Sequence, residues 1–114
     1  MTLERVFVYG TLKAGGEFHG ALSGARFLGA RSLTGFRLYD TGFGYPAAVA
    51  GPGILHGEVY EVPEATLGIL DAVEGAPDLF RRIDVDGLWV YVWAGPIQEE
   101  TFRPIPRGAW DLPR

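Results

Sequence analysis

Glycine interrupts the apolar runs of this chain before they grow long, and that constrains its fold more than any other feature. Val6 to Tyr9 is a continuous apolar and aromatic run stopped by Gly10, the pattern of a central strand buried on both faces. Such a strand delivers the loop that opens at Gly10 directly out of the core. Between Ala25 and Asp40 the segments "RFLGARSL" and "FRLYD" are broken at Gly29 and Gly35, which predicts two short strands joined by a turn. "TGFGYPAAVAGPG" reads as a loop. "LHGEVYEV" alternates, with Leu55, Gly57, Val59 and Glu61 on one face and His56, Glu58, Tyr60 and Val62 on the other, and predicts a strand.

The one clear helical pattern is "PEATLGILDAVEG". Pro63 suits the first helical position, Glu64 favours the helix dipole, and Gly75 is placed to end the helix in a left-handed conformation. Leu67, Leu70 and Val73, with Ile69 beside them, form the expected buried stripe. "RRIDVDGLWVYVW" reads as a hairpin turning at Asp86-Gly87. That register sets Val85 opposite Leu88, Ile83 opposite Val90 and Arg81 opposite Val92, giving one aliphatic face. Phe80, Arg82, Trp89, Tyr91 and Trp93 make the other face, which must be covered, with Arg82 stacked on a ring. The tail "FRPIPRGAW" is expected to be ordered and to pack Trp110 against the body. Several short strands with one strong helix predict an α+β fold, a small curved or closed mixed sheet with the helix on one side.

With 114 residues and 47% hydrophobic content, residues 1–114 are expected to form one domain. No apolar run approaches the roughly 20 residues of a membrane span, and the N-terminus lacks a signal-peptide pattern, so a soluble cytoplasmic protein is expected. Cysteine is absent, which excludes disulfides, thiol nucleophiles and thiolate metal sites. A net charge of −4 with dispersed basic residues argues against nucleic acid as a partner. The sequence leaves the oligomeric state open.

Several chemistries fail at the residue level. Gly10 to Gly15 mimics the start of a phosphate-binding loop, but Gly16 and Glu17 stand where Lys and Ser/Thr are required. Ser23 lacks the glycine two residues earlier that a nucleophile elbow uses. His19 and His56 are the only histidines and have no carboxylate pair at ligand spacing, so no metal site is expected.

Two features remain. Gly10 allows the backbone amides of Gly10, Thr11 and Leu12 to face a common point, as amides do when they bind carboxylate or an oxyanion; a plain turn after a strand has the same sequence. Asp71 and Glu74 lie three apart in the last helical turn, where the dipole disfavours negative charge and should raise a carboxyl pKa. Such a group suits proton transfer near neutral pH. The pair equally fits two solvated acids at a helix end, and on physical grounds either acid could be the reactive one.

"VFVYGTLKAGGEFHGAL", "YPAAV", "HGEVYEVPEATLGILDAVEGAPDLFRR", "VYVW" and "PRGAW", in that order and nearly end to end, resemble the γ-glutamylcyclotransferase-like superfamily, in the branch containing γ-glutamylamine cyclotransferases. The resemblance implies a small barrel flanked by few helices, with the opening loop facing the helix-end glutamate across a cavity. It implies substrate contacts from Tyr9, Gly10, Thr11 and Leu12, mainly through backbone amides, a general acid/base at Glu74 and a structural role for Asp71. The implied reaction converts a γ-glutamyl-amine or γ-glutamyl-amino acid to 5-oxoproline and a free amine, with no cofactor. Phe80 departs from the pattern, since many relatives carry tyrosine there. A non-catalytic small-ligand binding module on the same fold is the rival reading, and a partner-binding domain using the aromatic hairpin face is a third.

Overall fold

Strand β1 (Leu3–Val8) runs through the middle of the sheet because its apolar residues have partners on both faces. The computed structural model describes residues 2–111. Val6 and Val8 pack into one apolar cluster with Leu67 and Leu70, and Phe7 and Tyr9 into a second with Leu33, Leu55 and Val90. Alternation along a single strand thus feeds two cores. β1 pairs antiparallel with β3 (Pro46–Pro63), from Leu3 opposite Pro63 to Val8 opposite Glu58, and parallel with β5 (Leu88–Trp93). With β2 (Arg26–Asp40), β4 (Phe80–Val85) and β6 (Arg103–Pro104) the order is β4-β5-β1-β3-β2-β6. This mixed sheet curls into a half-barrel, with, among the described residues, one α-helix, α1 (Glu64–Glu74), and a short 3-10 turn at His19–Leu22.

The two expected short strands between Ala25 and Asp40 are one strand of 15 residues. Gly29 and Gly35 do not turn the chain. They sit at positive φ, 129° and 92°, where the β2–β3 register shifts, so each glycine makes a bulge that bends the strand. The expected loop at 41–53 is likewise mostly strand. Pro46 to Ala50 pair with Asp40 to Phe36, and Gly51, Pro52 and Gly53 lie opposite Gly35 at the second bulge. The true turn is Thr41–Tyr45, closed by the Thr41 hydroxyl and amide donating to the Tyr45 carbonyl, at 2.7 and 3.3 Å.

Helix α1 starts one residue later than its sequence suggests, because Pro63 is still paired with Leu3 in the sheet and serves as N-cap. Gly75 ends it at φ 65°. Leu67 and Leu70 are buried and Val73 half-buried, but Ile69 is 57% exposed. At 100° per residue Ile69 lies about 200° around the helix from Leu67, off the buried stripe. The β4–β5 hairpin has the expected register, with Asp86 and Gly87 both at positive φ as a type I′ turn requires. Its aromatic face is covered within the chain: Phe80 and Tyr91 are buried, Trp89 and Trp93 half-buried, and the Arg82 guanidinium lies 4.4 Å from the Trp89 ring centre. The tail returns along β2 and packs Trp110 on the second core. Among the described residues, no helix is long and apolar enough to cross a membrane.

Candidate active site

Emerging from β1, the chain must turn at Gly10, and no larger residue fits there: a Cβ would stand 2.7 Å from Pro46 Cγ. Buried Leu12 then pins the loop into the first core beside Leu22 and Leu67. The back of the loop is tied to the body. Ala14 N donates to Glu58 Oε1 at 2.9 Å, Lys13 Nζ to the Trp110 carbonyl at 2.8 Å, and Phe18 N to the Thr11 carbonyl at 2.9 Å. Within the loop, Lys13 N donates to the Gly10 carbonyl at 3.0 Å and Gly16 N to the Lys13 carbonyl at 2.8 Å, so the amides of Lys13, Ala14, Gly16 and Phe18 are all engaged. Among the described residues, the amides of Gly10, Thr11 and Leu12 have no acceptor in the protein.

Tyr9, Gly10, Thr11, Leu12 and Glu74, named from the sequence, all line one cavity of about 150 Å³. The Tyr9 side chain is buried and its hydroxyl is already bonded within the protein. It donates to the Tyr91 carbonyl at 2.5 Å and accepts from Ala48 N at 3.2 Å, joining β5 and β3 behind the loop. Burial, and next the Glu74 charge, hold the Tyr9 phenol well above its ordinary pKa, so it stays neutral.

The two acids at the end of α1 have different surroundings. Asp71 is occupied: Arg82 Nε and Nη2 donate to its two oxygens at 3.0 and 3.2 Å, and the Tyr91 hydroxyl donates to Oδ1 at 2.6 Å. Helix and hairpin are clamped together by that network. Glu74, on the last helical turn, lines the cavity half-buried and makes no hydrogen bond or ion pair among the described residues. Burial pushes its carboxyl up from 4.5 to about 7. A group with that pKa exchanges protons readily at neutral pH, and it lines the same cavity as backbone donors that have no acceptor among the described residues.

Phe80 closes the cavity wall with edge-on contacts to Tyr45 and Trp93, at 6.0 and 5.4 Å between ring centres. It brings no hydroxyl. Sequence reasoning missed the adjoining wall, formed by Phe43, Gly44, Tyr45 and Pro46 of the β2–β3 turn. Phe43 between two glycines and Tyr45 between glycine and proline in "GFGYP" were the available signal. The Asp71–Arg82 pair was also missed, although the hairpin register places Arg82 on the face that meets α1. Among the described residues, no group of three His, Cys, Asp or Glu side chains could hold a metal ion.

The family model described as gamma-glutamyl cyclotransferase, AIG2-like, matches residues 6–112. The γ-glutamylcyclotransferase family protein YtfP of Escherichia coli is 36% identical over 111 residues, covering 93% of this chain and 95% of the relative. Among solved structures, an uncharacterized protein of Pyrococcus horikoshii superposes with a TM-score of 0.81 at 32% identity, covering 93% of this chain and 88% of that one. A mouse AIG2-like protein superposes with a TM-score of 0.84 at 27% identity, covering 97% and 90%.

Proposed function

This chain belongs to the γ-glutamyl cyclotransferase, AIG2-like family, and on that premise we propose that it converts a γ-glutamyl-amine or γ-glutamyl-amino acid to 5-oxoproline and a free amine, with Glu74 as general acid/base. The observation that carries this reading is Glu74 itself: an unpaired carboxyl, lifted by burial to about 7, sharing a cavity with the free loop amides. The donor's α-carboxylate docks on the amides of Gly10, Thr11 and Leu12, which have no acceptor among the described residues. Ionised Glu74 takes a proton from the α-ammonium. The freed amine attacks the γ-carbonyl, forming the lactam C–N bond and a tetrahedral oxyanion. Protonated Glu74 then delivers its proton to the departing nitrogen as the old C–N bond breaks.

Re-ionised Glu74 takes the second proton from the ring nitrogen, and the departing amine picks up a proton to leave as an ammonium; two protons thus leave the α-nitrogen and two end on the leaving amine, so the reaction balances without another reactant. Nucleophile and electrophile belong to one molecule, and the site's task is to fold the donor into a five-membered approach. The test is release of 5-oxoproline, followed by mass spectrometry, from γ-glutamyl-amines, γ-glutamyl-amino acids and glutathione. Release that falls roughly 10²- to 10⁴-fold in Glu74→Gln and survives in Asp71→Asn is the expected result. A folded protein that binds these donors and releases nothing would instead be a small-ligand binding module.

A further inference from the structure

Around the mouth of the cavity, three large apolar side chains stand in solvent: Phe18 is 43% exposed, Phe43 58% and Leu79 40%. They come from three separate parts of the chain, the segment before the 3-10 turn, the β2–β3 turn and the link between α1 and β4. Their exposure is not that of loose loops. Phe18 N donates to the Thr11 carbonyl at 2.9 Å and its carbonyl accepts from Ala21 N at 3.0 Å. Phe43 N donates to Thr41 Oγ1 at 3.2 Å, and its ring lies 6.4 Å from that of Tyr45. Leu79 N donates to the Gly75 carbonyl and its own carbonyl accepts from Ala94 N, at 2.9 and 3.0 Å. Single exposed apolar residues are ordinary, but three presented from fixed backbones around one opening form a surface that a ligand can cover.

The charges lining the cavity are one-sided. Glu17 and Glu74 are the acids, and no Lys, Arg or His of the described residues lines it. A donor's α-carboxylate has the loop amides, but a second carboxylate on the leaving group would be desolvated near Glu17 with no cation to meet it.

We infer that the leaving group is an amine with an apolar body and no carboxylate, gripped by Phe18, Phe43 and Leu79 and screened by Glu17. This rests on the cyclotransferase reading above. The test compares kcat/KM for 5-oxoproline release from four donors: the γ-glutamyl amides of phenethylamine, ethylamine, phenylalanine and 1,4-diaminobutane. The phenethylamine donor should exceed the ethylamine and phenylalanine donors by roughly 10- to 100-fold, and the diaminobutane donor by less, because Glu17 attracts its distal ammonium while Phe18, Phe43 and Leu79 meet no large apolar body on it. Phe18→Ser and Phe43→Ser should shrink the phenethylamine-to-ethylamine ratio about tenfold each, and Glu17→Gln should narrow the gap between phenethylamine and phenylalanine. Comparable values for the ethylamine and phenethylamine donors, or a preference for the phenylalanine or diamine donor, would overturn the inference while leaving the cyclotransferase reading in place. If none of the four donors released 5-oxoproline, the reading beneath it would fall, and this inference with it.

Discussion

Glu74→Gln should stabilise the protein, and by an amount that grows with pH. The carboxyl is half-buried without a hydrogen-bond or ion-pair partner among the described residues, and burial lifts it from 4.5 to about 7. A raised carboxyl pKa means that the folded state holds the proton more tightly than the unfolded chain does. Below about pH 4.5 the group is neutral in both states and costs nothing; as pH climbs through about 7 the fold loses stability, and above that the penalty is constant. A displacement of that size corresponds to about 3 kcal/mol, and partial solvent access brings the expected figure to roughly 2 kcal/mol.

Glutamine keeps the shape and removes the ionisation, so the variant should gain about 2 kcal/mol over wild type at pH ~8 relative to pH ~4. The corresponding rise in Tm is roughly 6–10 °C. Urea unfolding followed by tryptophan fluorescence at the two pH values measures it. Any cost of burying the amide is independent of pH and cancels in the comparison. A difference between variant and wild type that is the same at both pH values would refute the reasoning, because the carboxyl would then ionise in the fold as it does in the open chain.

Three other substitutions probe the frame around the site. Asp71→Asn takes the charge from the Arg82 pair and weakens the Tyr91 contact; stability should fall by about 1–3 kcal/mol in urea unfolding, with kcat changed only a few-fold. Tyr9→Phe strips the hydroxyl from Ala48 N and the Tyr91 carbonyl, and the same assay should show a loss of about 1–3 kcal/mol. Gly10→Ala drives a Cβ to 2.7 Å from Pro46 Cγ and 2.9 Å from Cδ, atoms of a stiff ring. It should cost about 1–3 kcal/mol and, by displacing the loop amides, lower kcat/KM by roughly 10²-fold in the 5-oxoproline assay.

The parts of the fold that could be read from the sequence are those whose partners are local. Leu67 and Leu70 reveal α1 by spacing alone, Gly75 reveals its end, and Asp86-Gly87 sets the hairpin register without reference to the rest of the chain. The β2–β3 pair was misread because Gly29, Gly35, Gly51 and Gly53 break local patterns in the same way whether they turn a chain or bulge it. Only the partner strand decides between the two: pairing continues on both sides of Gly35, with Thr34 opposite Ile54 and Phe36 opposite Ala50, which makes the glycines there a bulge and not a turn. The candidate site follows the same division. The loop at Gly10 and the acids at Asp71 and Glu74 announce themselves within short segments. Which acid is free depends on Arg82 and Tyr91 arriving from the hairpin, a contact between distant segments that no local pattern encodes. The Phe43–Pro46 wall was hidden because its turn belongs to strands that had not been recognised as paired.

The most direct test of Glu74 as a base poised by burial is the pH dependence of kcat/KM for 5-oxoproline release. The rate constant should rise tenfold per pH unit on the acid side and level off with an apparent pKa of about 7, since only ionised Glu74 can accept the α-ammonium proton. A profile flat from pH ~5.5 to ~8, or a limb near 7 that survives in the residual activity of Glu74→Gln, would contradict the account.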